Sequence, residues 1–433
     1  MQVFKLPERT EWKKLLARPA IDAAALEQKV KLILGEVKAG GDAAVRLYTK
    51  QFDGIEPGDL LVSQSEINEA GKELSSELKQ AIELAAANIR IFHEKQVTPV
   101  EIIETMPGVK CWRKSVGIEK VGLYIPGGTA PLFSTLLMLA IPAKIAGCKE
   151  IVLCTPPSPP SAPGRGAGVH PAILFAAKTA GITKIFKAGG VQAIAAMAYG
   201  TQTIPQVYKI FGPGNQYVTC AKQLIQKDGI AIDMPAGPSE VAVYADDTAN
   251  SAFVAADLLS QAEHGADSQV LLVVSRGAMV VGVEKEIEKQ LQQLPRKDIA
   301  AKALANSKII IVEDEKEVID LLNEYAAEHV ILNCSNAAAV AEKIINAGSV
   351  FLGNYSPESV GDYASGTNHT LPTNGYAKAY SGVSVDSFVK KITYQELTEQ
   401  GLKNIGPMVE IMAAAEGLEA HKNAVSIRLR KQL

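Results

Sequence analysis

The sequence predicts an α/β protein with two successive parallel sheets, each covered by helices on both faces, and helical segments at both ends. Three observations support this prediction. The chain has 433 residues, which is more than one ordinary hydrophobic core encloses. From Lys120 onward, short β-branched runs alternate with helical patterns, as in parallel α/β folds. A second series of the same kind begins at Glu240, so two such units are expected.

The region before Lys120 is predicted to be helical and to have no strands of its own. Apolar residues recur at helical spacing over residues 26–37, and Gly40-Gly41 ends that pattern. The same spacing returns over residues 78–92 and predicts a longer helix. We therefore expect this region to pack onto one of the two sheets.

The strand patterns fall into two groups that are separated by helical segments. The first group is VGLYI, EIVLC, KIFKA, VYKIF and GIAI, with helices expected over 171–180, 191–199 and 215–226. The second group is EVAVYA, QVLLVV, KIIIV, HVILN and SVFLG. After Val383 the pattern becomes helical and more charged, which predicts a helical C-terminal segment.

Composition narrows the possible partners and location. The net charge is −3 and there is no basic stripe, so nucleic acid is not an expected partner. Five Cys without a CxxC pair indicate a reducing compartment. The N-terminus is polar, and the most apolar stretch, residues 132–141, is too short to span a bilayer. A cytoplasmic protein that does not enter the membrane is expected.

Residues 156–168 are rich in Pro, Ser and Gly and follow a predicted strand. Their glycines lack the GxGxxG register, because position 169 is Val, so we predict a flexible surface loop. A dinucleotide, if one binds, would not be held through the usual pyrophosphate fingerprint.

Two Glu-His pairs occupy nearly the same place in the pattern. Glu263-His264 and Glu328-His329 both lie where a predicted helix ends and a strand begins. In a parallel sheet such junctions share one edge, so the two imidazoles are expected in one region. Gln261 precedes His264 by three residues and shares its helical face. The imidazoles of these His residues, combined with a carboxylate such as that of Asp362, favour zinc among the common metals.

Spacing alone leaves ordinary structural alternatives open for each candidate. The chain has no HExxH motif and no Cys-rich framework. A His at a helix end is often a cap or a surface residue. Asp362 in its Gly-flanked loop could form a turn, and His421 on a charged terminal helix could be solvated. Ser239 could be an N-cap or a turn residue.

Eight stretches of this sequence nevertheless carry a resemblance to one enzyme family. They are VGLYIPGGTAPLFSTLLMLAIPAKIAGC, AGGVQAIAAMAYGT, KIFGPGNQYV, IDMPAGPSEV, LLSQAEHGADSQ, AAEHVIL, GDYASGTNHTLPT and EGLEAHKNAV. In this order they resemble the histidinol dehydrogenases along nearly the whole chain.

The resemblance implies a set of functional residues. It implies zinc ligands at Gln261, His264, Asp362 and His421, completed by the imidazole and amino group of the substrate. It implies His329 as the acid/base in both oxidations and Glu328 as the residue that activates water for the aldehyde intermediate. Substrate contacts are implied at Ser239, Gln261, His264, His329, Asp362, Glu416 and His421, and NAD contacts at Tyr124, Gln192 and Asn215.

The resemblance also implies two incomplete Rossmann-like domains with small helical terminal domains. The expected N-terminal helical segment is 1–23, and the expected C-terminal helical domain is 384–433. The first α/β domain, with the metal and catalytic residues, combines 24–123 with 240–383. The second α/β domain, with the NAD contacts, is 124–239. It implies a homodimer in which His421 serves the partner's site. Three alternatives remain: a dehydrogenase for another hydroxylated substrate, a zinc hydrolase with Glu328 as base, and a non-catalytic scaffold.

Overall fold

The computed structural model describes residues 1–18, 23–127, 131–158, 168–235 and 237–430. The strands within these ranges are β1 (Gln2–Lys5), β2 (Ile102–Met106), β3 (Val109–Gly117), β4 (Lys120–Tyr124), β5 (Glu150–Thr155), β6 (Lys184–Lys187), β7 (Lys209–Phe211), β8 (Ala231–Ile232), β9 (Glu240–Ala245), β10 (Gln269–Val274), β11 (Lys308–Ile311), β12 (His329–Asn333), β13 (Ser349–Leu352) and β14 (Val389–Leu397).

The α-helices in the same ranges are α1 (Arg9–Leu15), α2 (Ala23–Gly40), α3 (Asp42–Asp53), α4 (Gln64–Glu69), α5 (Ser76–Glu94), α6 (Phe133–Ile145), α7 (Pro171–Thr179), α8 (Gly190–Tyr199), α9 (Gln216–Ile225), α10 (Ser251–Ala262), α11 (Ala278–Leu291), α12 (Lys297–Ala305), α13 (Glu315–Tyr325), α14 (Ala337–Ala341), α15 (Glu358–Tyr363), α16 (Glu399–Ala415) and α17 (Glu419–Leu429).

A six-stranded parallel sheet forms one half of the fold, with the strand order β1-β11-β10-β9-β12-β13. Helices α1, α13 and α14 bury one of its faces, and α10, α11 and α12 bury the other. In the register, Gln269 pairs with Glu240 and His329 pairs with Val241. The first residues of β9, β10 and β12 therefore lie side by side at one edge.

A five-stranded parallel sheet forms the other half, with the order β6-β5-β4-β7-β8. Helices α5, α6 and α7 pack on one face, and α2, α3, α8 and α9 pack on the other. Both predicted series of strands thus form parallel sheets with helices on both faces, and the predicted α/β fold is confirmed.

The packing of the N-terminal helices differs from the predicted grouping of residues 24–123 with 240–383. Val30 of α2 and Val45 of α3 share a core with Ile210 of the five-stranded sheet. Ile82 of α5 shares the other core of that sheet with Leu123. An amphipathic pattern shows that a helix buries one face, but it does not specify which of two sheets receives that face.

The terminal segments, predicted as helical, also contain strands. Residues 2–5 form the edge strand β1 beside β11, in a run too short to show a period. Strand β14 pairs antiparallel with β3, which pairs with β2 in a hairpin that the sequence pattern also missed. This three-stranded sheet is largely exposed, so its strands lack the apolar pattern of the buried parallel strands. Strand β14 joins the hairpin through pairing that is distant in sequence.

Little of the predicted loop 156–168 belongs to the described residues. Ser158 and Gly168 pair antiparallel at its two ends, and residues 159–167 lie outside the described ranges. Among the described helices, none combines the length and the apolar character that crossing a membrane requires.

Candidate active site

A buried Glu-His pair lies at the amino edge of the six-stranded sheet. His329 is the first residue of β12, and Glu328 precedes it. The turn from α13 into this strand passes through Ala326, whose φ of 52° is uncommon for a residue with a side chain. His329 is 3 % exposed and Glu328 is 8 % exposed. Ionisable groups are rarely buried this far without a partner, so the pair is a candidate functional site.

Three carboxylates surround the His329 ring. Its Nδ1 lies 3.8 Å from Glu328 Oε2 and 3.8 Å from Glu358 Oε2, and its Nε2 lies 3.4 Å from Asp362 Oδ1. Among the described residues, neither ring nitrogen makes a regular hydrogen bond, and the same holds for the Glu358 and Asp362 oxygens that face it. Buried polar atoms normally have partners. Several unpartnered atoms around one imidazole therefore indicate a site that completes its bonding with a ligand.

Burial and the neighbouring charges shift the acidities of this group. Burial raises the pKa of Glu328 and of Glu358, which disfavours their charged forms. Burial by itself lowers the pKa of His329, but Glu328, Asp362 and Glu358 outweigh it and raise that pKa. The acidity of the imidazole therefore depends on the charges of the three carboxylates around it.

The end of α10 brings a second candidate to this edge. The buried Gln261 amide fits best with its oxygen accepting from the Glu240 N–H at 3.0 Å and its nitrogen donating to Glu358 Oε1 at 2.9 Å. Ser260 Oγ donates to the same Glu358 oxygen at 2.7 Å. Gln261 is thus held within reach of the carboxylates around His329.

His264 and Ser239 lie at the rim of the same edge. His264 follows the end of α10 and is exposed, yet enough protein surrounds it for burial to lower its pKa, and the charge of Asp362 offsets part of that effect. Ser239 is half-buried, directly precedes β9, and accepts a hydrogen bond from the Gln269 N–H at 3.1 Å. Both residues can face a ligand bound beside Asp362.

The candidate zinc donors of one chain form a partial set. Among the described residues, no three His, Cys, Asp or Glu side chains are close enough to bind one metal ion. Asp362 has a buried oxygen without a hydrogen-bond partner, and His264 and Gln261 lie at the same edge. Imidazole and carboxylate donors suit zinc, and four ligands are usual for it. The set therefore fits zinc and lacks at least one ligand.

The structure does not bring Glu416 and His421 to this group. Glu416 caps the end of α16 and His421 lies in α17, and both side chains are exposed. Helix α17 packs mainly on α16, and α16 continues from β14. Among the described residues of one chain, no hydrogen bond or ion pair joins Glu416 or His421 to Asp362 or His329.

The predicted nucleotide residues lie together at the carboxyl edge of the five-stranded sheet. Tyr124 is the last residue of β4, and its hydroxyl accepts from the Gly190 N–H at 3.1 Å. Gln192 lies in the first turn of α8 after β6 and is 1 % exposed. Neither atom of its amide has a hydrogen-bond partner among the described residues. An unpartnered buried amide fits a site that receives a polar ligand.

Asn215 follows β7 on the same edge. Its side chain caps α9 by accepting from the backbone N–H groups of residues 217 and 218 at 3.1 and 3.2 Å. Gly212 adopts a φ of 128°, and a Cβ there would lie 2.0 Å from the Tyr124 carbonyl oxygen. The loops after β4 and β7 therefore approach each other where the strand order reverses, which is the usual ligand position in open α/β sheets.

Three residues at the catalytic edge were not found from the sequence. Glu358 lies in the first turn of α15, a position where Glu is common in any helix, so its residue type gives no functional signal. Glu240 starts a predicted strand, which gave no hint of the bonds it makes to Arg18. His369 lies with Nδ1 2.7 Å from the Asp362 carbonyl oxygen. Asp362 itself lies in α15 and not in the Gly-flanked loop that the sequence predicts.

Comparisons with known proteins identify the family. The family model described as histidinol dehydrogenase matches residues 16–429. A histidinol dehydrogenase of Bacteroides thetaiotaomicron is 60 % identical over 429 residues, which cover 99 % of each chain. A chloroplastic histidinol dehydrogenase of Arabidopsis thaliana is 51 % identical over 435 residues, covering 99 % of this chain and 92 % of that protein.

A solved structure agrees with these relatives. The crystal structure of histidinol dehydrogenase from Elizabethkingia anophelis superposes with a TM-score of 0.95 at 55 % identity, covering 99 % of this chain and 98 % of that one. Sequence and fold are therefore shared over nearly the full length, and the chain belongs to the histidinol dehydrogenase family of oxidoreductases.

Proposed function

We propose that this chain oxidises histidinol to histidine through the aldehyde, with two molecules of NAD reduced in turn. The observation that carries the proposal is the buried His329 ring, whose unpartnered nitrogens lie among Glu328, Glu358 and Asp362. Each oxidation removes a hydride and a proton, and a buried base beside the reacting carbon makes the hydride easier to remove. The identity to named histidinol dehydrogenases supports the choice of substrate.

The two members of the pair have separate roles. His329 accepts the hydroxyl proton of the alcohol as hydride leaves for the nicotinamide, and it does the same for the hydrated aldehyde. Glu328 accepts a proton from the water that adds to the aldehyde, because an acid whose pKa is raised by burial is an effective base near neutral pH. Each cycle of the two steps converts one alcohol and one water to one acid.

The proposed metal site combines Gln261, His264, Asp362 and His421. Zinc bound there would hold the imidazole and amino group of the substrate and so fix the reacting carbon beside His329. The partial donor set at the sheet edge and the unpartnered Asp362 oxygen support this assignment. Recognition through the imidazole would also select histidinol over alcohols that lack one.

We propose that His421 comes from a second copy of the chain. The arm formed by α16 and α17 carries Glu416 and His421 on exposed positions. It also exposes a group of large apolar side chains, which are Met408, Ile411, Met412, Leu418 and Ile427. An uncovered apolar surface of this kind is typical of an interface with another protein. A homodimer would cover it and could supply the missing ligand.

NAD is assigned to Tyr124, Gln192 and Asn215 at the other sheet. The unpartnered Gln192 amide and the reversal of strand order beside Tyr124 support this position.

The five thiols of the chain are free, which supports the cytoplasm as the compartment. We further propose that residues 240–383 form the catalytic unit and residues 124–239 the nucleotide unit, with helices α2, α3 and α5 belonging to the latter.

The proposal is tested by following NADH absorbance with histidinol as substrate, with and without a chelator. We expect two NADH per histidine formed and loss of turnover after the metal is removed. Turnover of another hydroxylated compound, with no turnover of histidinol, would show that the enzyme is a dehydrogenase for a different substrate. Hydrolytic activity without NADH would instead favour a zinc hydrolase with Glu328 as its base.

A further inference from the structure

A buried arginine near the N-terminus connects to the catalytic edge. The Arg18 guanidinium makes a two-pronged contact with Glu240, with Nε 2.5 Å from Oε1 and Nη2 2.8 Å from Oε2. The Arg18 side chain is 17 % exposed and that of Glu240 is 2 % exposed. Paired hydrogen bonds of this geometry fix both orientation and distance, which a lysine cannot reproduce.

The same guanidinium also holds the end of α13. Nη2 donates to the Tyr325 carbonyl oxygen at 2.7 Å, and the guanidinium carbon lies 4.3 Å from the centre of the Tyr325 ring. Tyr325 is the last residue of α13 and precedes the left-handed Ala326 turn that leads into Glu328 and His329. Arg18 therefore contacts the backbone just before the turn that leads to Glu328 and His329.

Glu240, which Arg18 binds, also contacts the catalytic residues directly. Its backbone N–H points at Glu328 Oε2 at 3.0 Å and at the Gln261 amide oxygen at 3.0 Å. Its carboxylate also accepts from the Asn374 N–H at 3.1 Å, which ties the start of β9 to the loop around Asn374. One residue thus links Arg18 to both Glu328 and Gln261.

We propose that Arg18 is a positioning residue that sets the Glu328 carboxylate for its reaction with water, by clamping the start of β9 and the end of α13. The inference rests on the proposed function of Glu328. Among the described residues, the hydrogen bonds and the ring contact of Arg18 reach Glu240 and Tyr325 and not His329, so its effect passes through Glu240 and the Ala326 turn. The step most sensitive to the placement of Glu328 is the second oxidation.

The test uses the full-length holoenzyme and starts from Arg18→Lys, which keeps the charge but loses the fork. We expect the rate of aldehyde oxidation to fall about tenfold, with KM for NAD and the bound zinc unchanged. The matched control is Arg9→Lys, which alters another arginine of the same N-terminal segment, paired with Asp320 away from the site. This control is expected to keep the wild-type rate.

Two further measurements separate positioning from loss of stability. In Arg18→Ala, added guanidinium ion should restore part of the aldehyde step, whereas sodium at equal ionic strength should not. In a double-mutant cycle, Arg18→Lys should cost much less when Glu328→Gln is already present, because both changes act on one carboxylate. An equal cost in both backgrounds, or an Arg18→Lys rate like that of the control, overturns the inference. Wild-type enzyme inactive on histidinol would instead refute the proposed function.

Discussion

The two parallel sheets use opposite ends of their strands. In the five-stranded sheet the nucleotide candidates lie at the carboxyl edge, where Tyr124 ends β4 and Gln192 follows β6. In the six-stranded sheet the catalytic candidates lie at the amino edge, where His329 begins β12 and Gln261 precedes β10. The first group is uncharged, whereas the second surrounds one imidazole with three carboxylates.

The difference follows from the helix ends that meet each edge. The carboxyl ends of parallel strands lead into helix N-termini, whose partial positive charge favours the phosphates of a dinucleotide. The amino ends follow helix C-termini, such as those of α10 and α13, whose partial negative charge favours a cation. Zinc, an imidazolium or the amino group of a substrate would each gain from that position. The two edges therefore suit ligands of opposite charge, a cation at the amino edge and an anion at the carboxyl edge.

The largest expected effect is at the charged edge. His329→Ala should lower kcat by about 10³-fold or more, because the variant loses the base for both oxidations. Zinc and NAD binding should persist, since neither set of proposed ligands is altered. Elemental analysis and NADH production measure these two outcomes. His170→Asn is the matched control, since His170 only caps α7 and Asn can do the same. Loss of zinc in His329→Ala would contradict the separation of roles.

The metal ligands give the next test, because one of them is assigned to a second subunit. His264→Ala and His421→Ala should each lose zinc and turnover. When the two variants are mixed and allowed to exchange subunits, half of the dimers carry both chains, and each such dimer has one intact site. About a quarter of wild-type activity should then return if symmetric dimers share their sites. No recovery in exchanged dimers would place His421 outside the partner's site.

A smaller and more selective effect is expected for Glu328→Gln. The first oxidation continues, but the second should slow about 10²-fold, because the water that adds to the aldehyde loses its base. With a trapping reagent for aldehydes, the ratio of NADH to histidinol consumed should fall from two towards one. Glu324→Gln is the control, since Glu324 lies near the end of α13, before the turn that leads to Glu328, and pairs with Lys378 at the surface. Unchanged histidine formation would remove Glu328 from the mechanism.

The sequence predicted the strands of both sheets well and the active edge only in part. The parallel strands are apolar and bounded by Gly and Pro, so their pattern is visible locally. The hairpin of β2 and β3 is exposed and lacks that pattern, and β14 joins it by pairing across the chain. The shared edge of the two Glu-His junctions followed from parallel topology. Glu358 and Arg18 did not, because each reaches the site through contacts that no local spacing records. The ligands and the NAD residues were assigned through the family resemblance, and their roles stay predictions.

The smallest expected effect belongs to the uncharged edge and tests whether that edge binds the cofactor. Gln192→Leu keeps the volume of the side chain and removes its amide, whose two atoms have no partner among the described residues. Losing one or two hydrogen bonds to NAD should cost about 1–2 kcal/mol, which raises KM for NAD about tenfold and leaves kcat and KM for histidinol nearly unchanged. Leu also relieves a buried unpartnered amide, so the variant should unfold at the same or a higher temperature. A rise in KM for histidinol with no change in KM for NAD would mean that the edge of the five-stranded sheet does not bind NAD as proposed.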